Sequence, residues 1–285
     1  METTKIIHIY YDHGNEIAEV LAFMYKPILI SLIKIINELY PAIQIVLKVN
    51  PNDLNNIQEG DTLLWVGSIK IPDFDLLKKK HIYTIHYNSE PYVKYVNSNE
   101  IWTYSRYMYA SYRKIQNQII KFVPILFEEN VPSVPYNIRN EPMKLIFIGS
   151  LQFRENKYRT LPDTLKKNLI IIQNIWNDTD YNRFISDKAN IFLNLNKEGT
   201  AALPSVRINK LLSHKCIIIS EHTNTIDDEL YKDLIYFCKI KEIGSILNEF
   251  MQKTPDELQD ISDRRYKIFC ERFNSKNLLN LIIEN

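Results

Sequence analysis

Lys144-Leu145-Ile146-Phe147-Ile148-Gly149-Ser150 decides how this chain is organised, because a run of strand formers meets a glycine turn halfway along the sequence. The same grammar opens the chain. Ile6-Ile7-His8-Ile9-Tyr10 leads into Asp12-His13-Gly14-Asn15, and from Glu16 to Leu39 the apolar residues recur at helical spacing. Strand, turn and helix therefore begin twice. After the first start, strands are predicted at 43–49, 62–67, 81–86, 100–105 and 119–126, with Ser105 capping a helix and a further helical stretch after Pro91. After the second, they are predicted at 169–173, 190–195, 215–220 and 234–237, followed by helix from 255 to 283. Between the series, residues 131–142 carry three prolines in twelve positions and read as a linker.

Alternation of strands with helices favours parallel sheets, so the fold class is α/β, with two Rossmann-like domains. Their expected bounds are 1–135 and 142–265. Residues 266–285 are expected to form a helix returning to the first domain.

A composition of 45% hydrophobic and 24% charged residues over 285 positions supplies enough apolar side chains for real cores. Thirty-five basic and thirty-four acidic residues leave a formal charge of +1, which excludes a global pull toward nucleic acid or anionic membrane. Any phosphate site must be local. Cys216, Cys238 and Cys270 form neither a disulfide framework nor a CxxC pair, which suits a reducing compartment. The amino terminus lacks the features of a signal peptide, and the apolar stretch from Met24 to Leu47 is interrupted by Lys26, Pro27, Lys34, Glu38 and Pro41. A cytoplasmic placement is expected, or the host cytoplasm for a viral chain.

The chemistry-bearing stretches lie at predicted strand ends. Beyond Gly149 come Arg154, Lys157 and Arg159, where a glycine lets the backbone approach a diphosphate and cations neutralise it. The strand from Asn190 ends at Asn196, and Leu203-Pro204-Ser205-Val206-Arg207 opens a helix, bringing Ser205, free amides and Arg207 toward the same crevice. Lys215-Cys216-Ile217-Ile218-Ile219-Ser220-Glu221 ends in a carboxylate suited to ribose hydroxyls or to capping the next helix. In the first half, Asp12, His13 and Glu90 stand at strand ends. A base there can take a proton from an acceptor hydroxyl, Glu90 being preferred.

At this point a resemblance enters. The run from Asn190, with Leu193-Asn194-Leu195, Ser205-Val206-Arg207-Ile208, Leu211-Leu212-Ser213-His214-Lys215 and Tyr231-Lys232-Asp233-Leu234-Ile235, resembles the carboxyl-terminal domain of GT-B glycosyltransferases, especially bacterial and viral single-chain members. Asn88-Ser89-Glu90 and Glu100-Ile101-Trp102-Thr103-Tyr104-Ser105 resemble that family's acidic loop and the tryptophan-bearing strand after it. The resemblance implies transfer of a sugar, hexosyltransferase-like, from a nucleotide-diphosphate sugar to an acceptor hydroxyl of a glycan or other molecule. It implies no cofactor beyond that donor, no bound metal and no nucleic-acid partner. Gly149, Arg154, Lys157, Asn196, Ser205, Arg207 and Glu221 are the implied donor residues.

Departures accompany it. Ala201 and Asn209 stand where many retaining members carry a spaced pair of glutamates, so stereochemistry is undetermined and ribose recognition shifts toward Glu221. The glycine expected before the following strand is replaced near His214. A degenerate nucleotide or glycan binder is one alternative. Asp73-Phe74-Asp75 and Asp178-Thr179-Asp180 raise a metal-dependent GT-A transferase as a second, and a sugar epimerase or isomerase is a third.

Overall fold

The computed structural model describes residues 6–11, 18–48, 51–67, 71–90, 96–115, 118–129, 131, 133, 135–136, 144–173, 175, 177–186 and 190–277. The chain divides into two compact units, one of residues 1–126 and 273–285, the other of residues 127–272.

In the first unit a six-stranded sheet has the order β2-β1-β3-β4-β5-β6, with every pairing parallel. Its strands are β1 (Ile6–Tyr11), β2 (Gln44–Lys48), β3 (Thr62–Val66), β4 (Tyr83–Asn88), β5 (Glu100–Thr103) and β6 (Ile119–Phe122). Consecutive residues of β3, from Leu63 to Val66, are at most 1% exposed, as expected of a parallel strand covered on both faces. Helix α1 (Ala18–Leu39) buries a helical stripe of Ile28, Leu29, Leu32, Ile35 and Ile36. Pro27 lies inside α1. Its carbonyl accepts from Ser31 Oγ at 2.7 Å, and the same hydroxyl accepts from the Leu126 amide at 2.9 Å. No helix among the described residues is long and apolar enough to cross a membrane.

In the second unit a five-stranded, all-parallel sheet has the order β11-β10-β9-β7-β8. Its strands are β7 (Lys144–Ile148), β8 (Leu169–Ile172), β9 (Asn190–Asn194), β10 (Ile217–Glu221) and β11 (Tyr236–Cys238). After β7 the chain steps outward to β8, then returns to lay β9 on the other side of β7. The C-terminal ends of β7 and β9 thus form a topological switch point, where open α/β sheets bind ligands. Tyr136, inside the proline-bearing segment, belongs to this unit's core: it is 3% exposed, its amide donates to Gln259 at 2.7 Å, and its hydroxyl accepts from the Ile217 amide at 3.2 Å.

Several strands begin later than their apolar runs predict, for one physical reason. His81, Lys215 and Asp233 adopt φ of 55°, 59° and 66° to close the preceding turns, so β4, β10 and β11 begin only after them. A chain with six glycines places ordinary residues in a left-handed position usually given to glycine. Lys215, not His214, takes the position where glycine was expected, since His214 has φ of −83°. Strand β6 stops at Phe122, short of the predicted 126, because Pro124 has no amide to pair. The helix expected over 255–283 is interrupted: α10 spans Pro255–Arg272, the chain bends at Phe273 and Asn274, and residues 275–277 are helical again, Asn274 Oδ1 accepting from the Asn277 amide at 2.8 Å; the rest of that stretch lies outside the described residues. The helical stretch expected after Pro91 lies mostly outside the described residues.

Candidate diphosphate site

Strand β7 ends at Ile148 and the chain turns at Gly149, whose φ is +141°. A Cβ there would sit 3.5 Å from Arg207 Nη2 and 3.6 Å from Phe147 Cζ, ordinary contact distances, so it is the positive φ of the turn that calls for glycine. The following loop folds back on itself. Arg154 Nε donates to the Leu195 carbonyl at 2.7 Å, and its Nη1 donates to the Ser150 carbonyl at 2.9 Å. The Glu198 amide donates to the carbonyl of Phe153, a residue held at φ of 61°, at 2.7 Å. The loops after β7 and β9 are thereby stitched together.

Helix α7 (Ser205–Ser213) begins one residue after Pro204, which occupies its N-cap without a side-chain bond. Arg207 projects from its first turn. Its guanidinium lies 5.7 Å from the centre of the Phe147 ring, and that of Arg154 lies 5.8 Å from the same centre. Arg207 Nη1 donates to Asn194 Oδ1 at 3.2 Å, while Asn194 Nδ2 donates to Asn196 Oδ1 and Ser220 Oγ, both at 2.9 Å. Asn194 was not among the expected site residues. Its signal was its place as the last residue of a buried strand, where a polar amide needs partners.

The two guanidiniums bond to carbonyl oxygens alone, and among the described residues neither is paired with a carboxylate. Burial pushes the Arg207 pKa down to about 10, with the like charge of Arg154 acting in the same sense. The Arg154 pKa is lowered by burial too, against an opposing pull from Glu221 and Glu155. Ser205 is 2% exposed and its hydroxyl has no hydrogen-bond partner among the described residues. Two half-buried cations, an unpartnered hydroxyl and the start of a nine-residue helix therefore converge on the switch point. That arrangement suits a polyvalent anion.

Lys157 is placed differently. On α4 (Glu155–Thr160), it pairs with Glu221 at 2.9 Å. The same carboxylate oxygen, Oε1, accepts from the Asn196 amide, and Oε2 makes no hydrogen bond among the described residues. Beside Glu221 a depression of about 440 Å³ extends over the ends of β10 and β11, lined by His222, Cys238 and Lys239. Arg154 and Arg207 do not line it, so the cation pair and the depression are neighbouring features linked by Lys157 and Glu221.

Asn209, at one of the glutamate positions, is 2% exposed and accepts from the Tyr231 hydroxyl at 2.7 Å, a structural bond inside the unit. The carbonyl of Ala201 accepts from Asn224 Nδ2 at 2.6 Å. The Asp-x-Asp strings are engaged in capping and pairing: Asp73 Oδ1 accepts from the Asp75 and Leu76 amides, and Asp178 pairs with Lys210 at 2.8 Å. No cluster able to hold a metal ion occurs among the described residues.

In the first unit, Glu90 follows β4, and its amide donates to Asn88 Oδ1 at 3.1 Å in a local turn. Asp12 and His13 lie outside the described residues.

No family model matches the sequence, and no curated protein matches it. Solved structures do match over nearly the whole length. The chain is similar to Anabaena HepE in complex with UDP, with a TM-score of 0.61 and 9% identity over 99% of both chains. It is also similar to phage T4 β-glucosyltransferase, with a TM-score of 0.55 and 12% identity over 97% of this chain and 99% of that one. The lipopolysaccharide outer core galactosyltransferase WaaB gives 0.53 and 11% identity over 98% and 99%. The fold is that of the GT-B glycosyltransferases.

Proposed function

We propose that this chain is a glycosyltransferase whose second unit holds a nucleotide-diphosphate sugar and which transfers the sugar to an acceptor hydroxyl without a bound metal. The observation that carries the reading is the pair Arg154 and Arg207 at the switch point, neither bonded to a carboxylate among the described residues. Breaking the bond between the anomeric carbon and the diphosphate leaves negative charge on the nucleoside diphosphate. Preorganised guanidiniums stabilise that charge as it develops. Glu221 Oε2 is available to a ribose hydroxyl, and the depression beside it suits the nucleoside. UDP is the nucleotide bound in the HepE structure, which makes it the first donor base to try.

Glu90 is the proposed general base, with Asp12 and His13 as the other first-unit choices. The acceptor proton passes to the carboxylate as the hydroxyl attacks the anomeric carbon. A second reading, a binder without turnover, is favoured by one observation: Asn209 is a buried partner of Tyr231 rather than a carboxylate.

Release of free nucleoside diphosphate from a panel of UDP-, GDP- and ADP-sugars, with simple glycans as acceptors, tests these readings. Turnover is expected with at least one donor, falling by ~10²- to 10⁴-fold in Glu90→Gln, the usual size of a general-base contribution. Donor binding without release supports the binder. Near-normal turnover in Glu90→Gln moves the base to His13 or Asp12.

A further inference from the structure

Arg265, on α10, is 8% exposed, and its Nε and Nη1 have no hydrogen-bond acceptor among the described residues. No carboxylate lies within ion-pair distance of it among the described residues. Its guanidinium carbon lies 3.4 Å from the centre of the Tyr236 ring, a stack that offsets part of the cost of burying a charged group. Burial also lowers the Arg265 pKa.

This side chain lines a depression of about 530 Å³ beside β11 and α8 (Thr225–Leu230). It shares His222 with the depression beside Glu221, but Gly149, Arg154, Ser205 and Arg207 do not line it, so it is distinct from the candidate diphosphate site. Most of its charges are already matched. Asp228 holds His222 Nδ1 at 2.8 Å and the Thr223 hydroxyl at 2.6 Å, and Glu229 pairs with Lys232 at 3.4 Å. What is left is the Arg265 guanidinium and the exposed Asp233 carboxylate, whose charge acts on it, with two half-buried aromatic walls, Tyr236 under the guanidinium and Phe237 stacked on His222.

We propose that this depression is a second binding site, for a small hydroxylated anion of the sugar phosphate or sugar acid class. The anionic group meets Arg265, a hydroxyl donates to Asp233, and the ring's C–H face rests against the aromatic wall. A carboxylate or phosphate supplies the acceptors that Nε and Nη1 lack, in the fork geometry that guanidinium favours. The pairing of one cation with one carboxylate explains why a hydroxylated ligand is preferred over a bare anion. The proposal does not depend on the donor reading.

Isothermal titration of glucose 6-phosphate, glucuronate, inorganic phosphate and glucose into wild type, Arg265→Met, Arg265→Lys and Arg207→Ala tests it. At least one of the two hydroxylated anions is expected to bind wild type and Arg207→Ala alike. Its affinity should fall at least tenfold in Arg265→Met and in Arg265→Lys, which keeps the charge but not the fork. Glucose and inorganic phosphate should bind at least tenfold more weakly than that anion. Should Arg265→Met fail to fold, Arg265→Lys decides alone. The site is overturned by no binding of either hydroxylated anion to wild type, by undiminished affinity in the folded Arg265 variants, by loss of binding in Arg207→Ala, or by inorganic phosphate binding as tightly.

Discussion

Arg207 carries more of the proposed chemistry than any other side chain, because its charge is partly desolvated and held against one amide oxygen and an aromatic ring. Charge-assisted bonds are worth about 1.5–3 kcal/mol each, so Arg207→Ala should weaken nucleoside diphosphate binding about tenfold to a hundredfold. Titration calorimetry on the folded variant checks this, and unchanged affinity removes Arg207 from the site. The residue types at this place were legible in the sequence: a glycine after a strand, cations beyond it, and an arginine in the first turn of a helix. Their pairing was not. Lys157 and Arg154 are equivalent by charge in sequence, yet Lys157 is neutralised by Glu221 while Arg154 is anchored by carbonyls. That distinction needs the loop after β9, which lies forty-one residues beyond Arg154 at Leu195.

The helices and turns around the site hold it through few, specific bonds. Asn224 caps α8 by accepting from the Ile226 and Asp227 amides, and Asp227 Oδ2 accepts from the Leu203 amide just before α7. Asn224→Ala should therefore cost about 0.5–2 kcal/mol of stability, read as a lower urea midpoint; an unchanged midpoint contradicts the capping role. On β11, burial raises the Cys238 pKa to about 11, and Glu242 and Glu221 add to the shift. The folded state then holds the thiol proton more tightly than the unfolded chain. Stability contributed by the neutral thiol is present below the ordinary cysteine range and is lost as the pH rises toward 11. Iodoacetamide at pH 8 should leave Cys238 unmodified in the native protein and alkylate it in urea, as read by mass spectrometry; equal rates contradict the assignment. Strand and helix types were readable from hydrophobic spacing, but strand starts were not. Asp233 and His81 are types that tolerate positive φ without requiring it and Lys215 is not, so only the packed chain assigns all three that conformation.

Across the chain, the restart at Lys144 was the decisive sequence signal, and each half forms its own parallel sheet. Where the halves divide was less legible. Prolines drew the boundary toward 131–142, whereas the compact units divide after Leu126 and Tyr136 is buried in the second, fixed by bonds to distant Gln259 and Ile217. The net charge of +1 carries no trace of an anion site, because a local cluster of arginines disappears in a whole-chain sum. The central claim is that the second unit recognises a nucleotide through its diphosphate. Calorimetric titration of uridine, UMP and UDP, with the guanosine and adenosine series alongside, tests it most directly. For at least one base the diphosphate should bind ten times or more tighter than the nucleoside, an advantage of roughly 1.4 kcal/mol or greater that an Arg154→Ala, Arg207→Ala double variant abolishes. Equal affinity for nucleoside and diphosphate, or a diphosphate advantage that survives in the folded double variant, would contradict it.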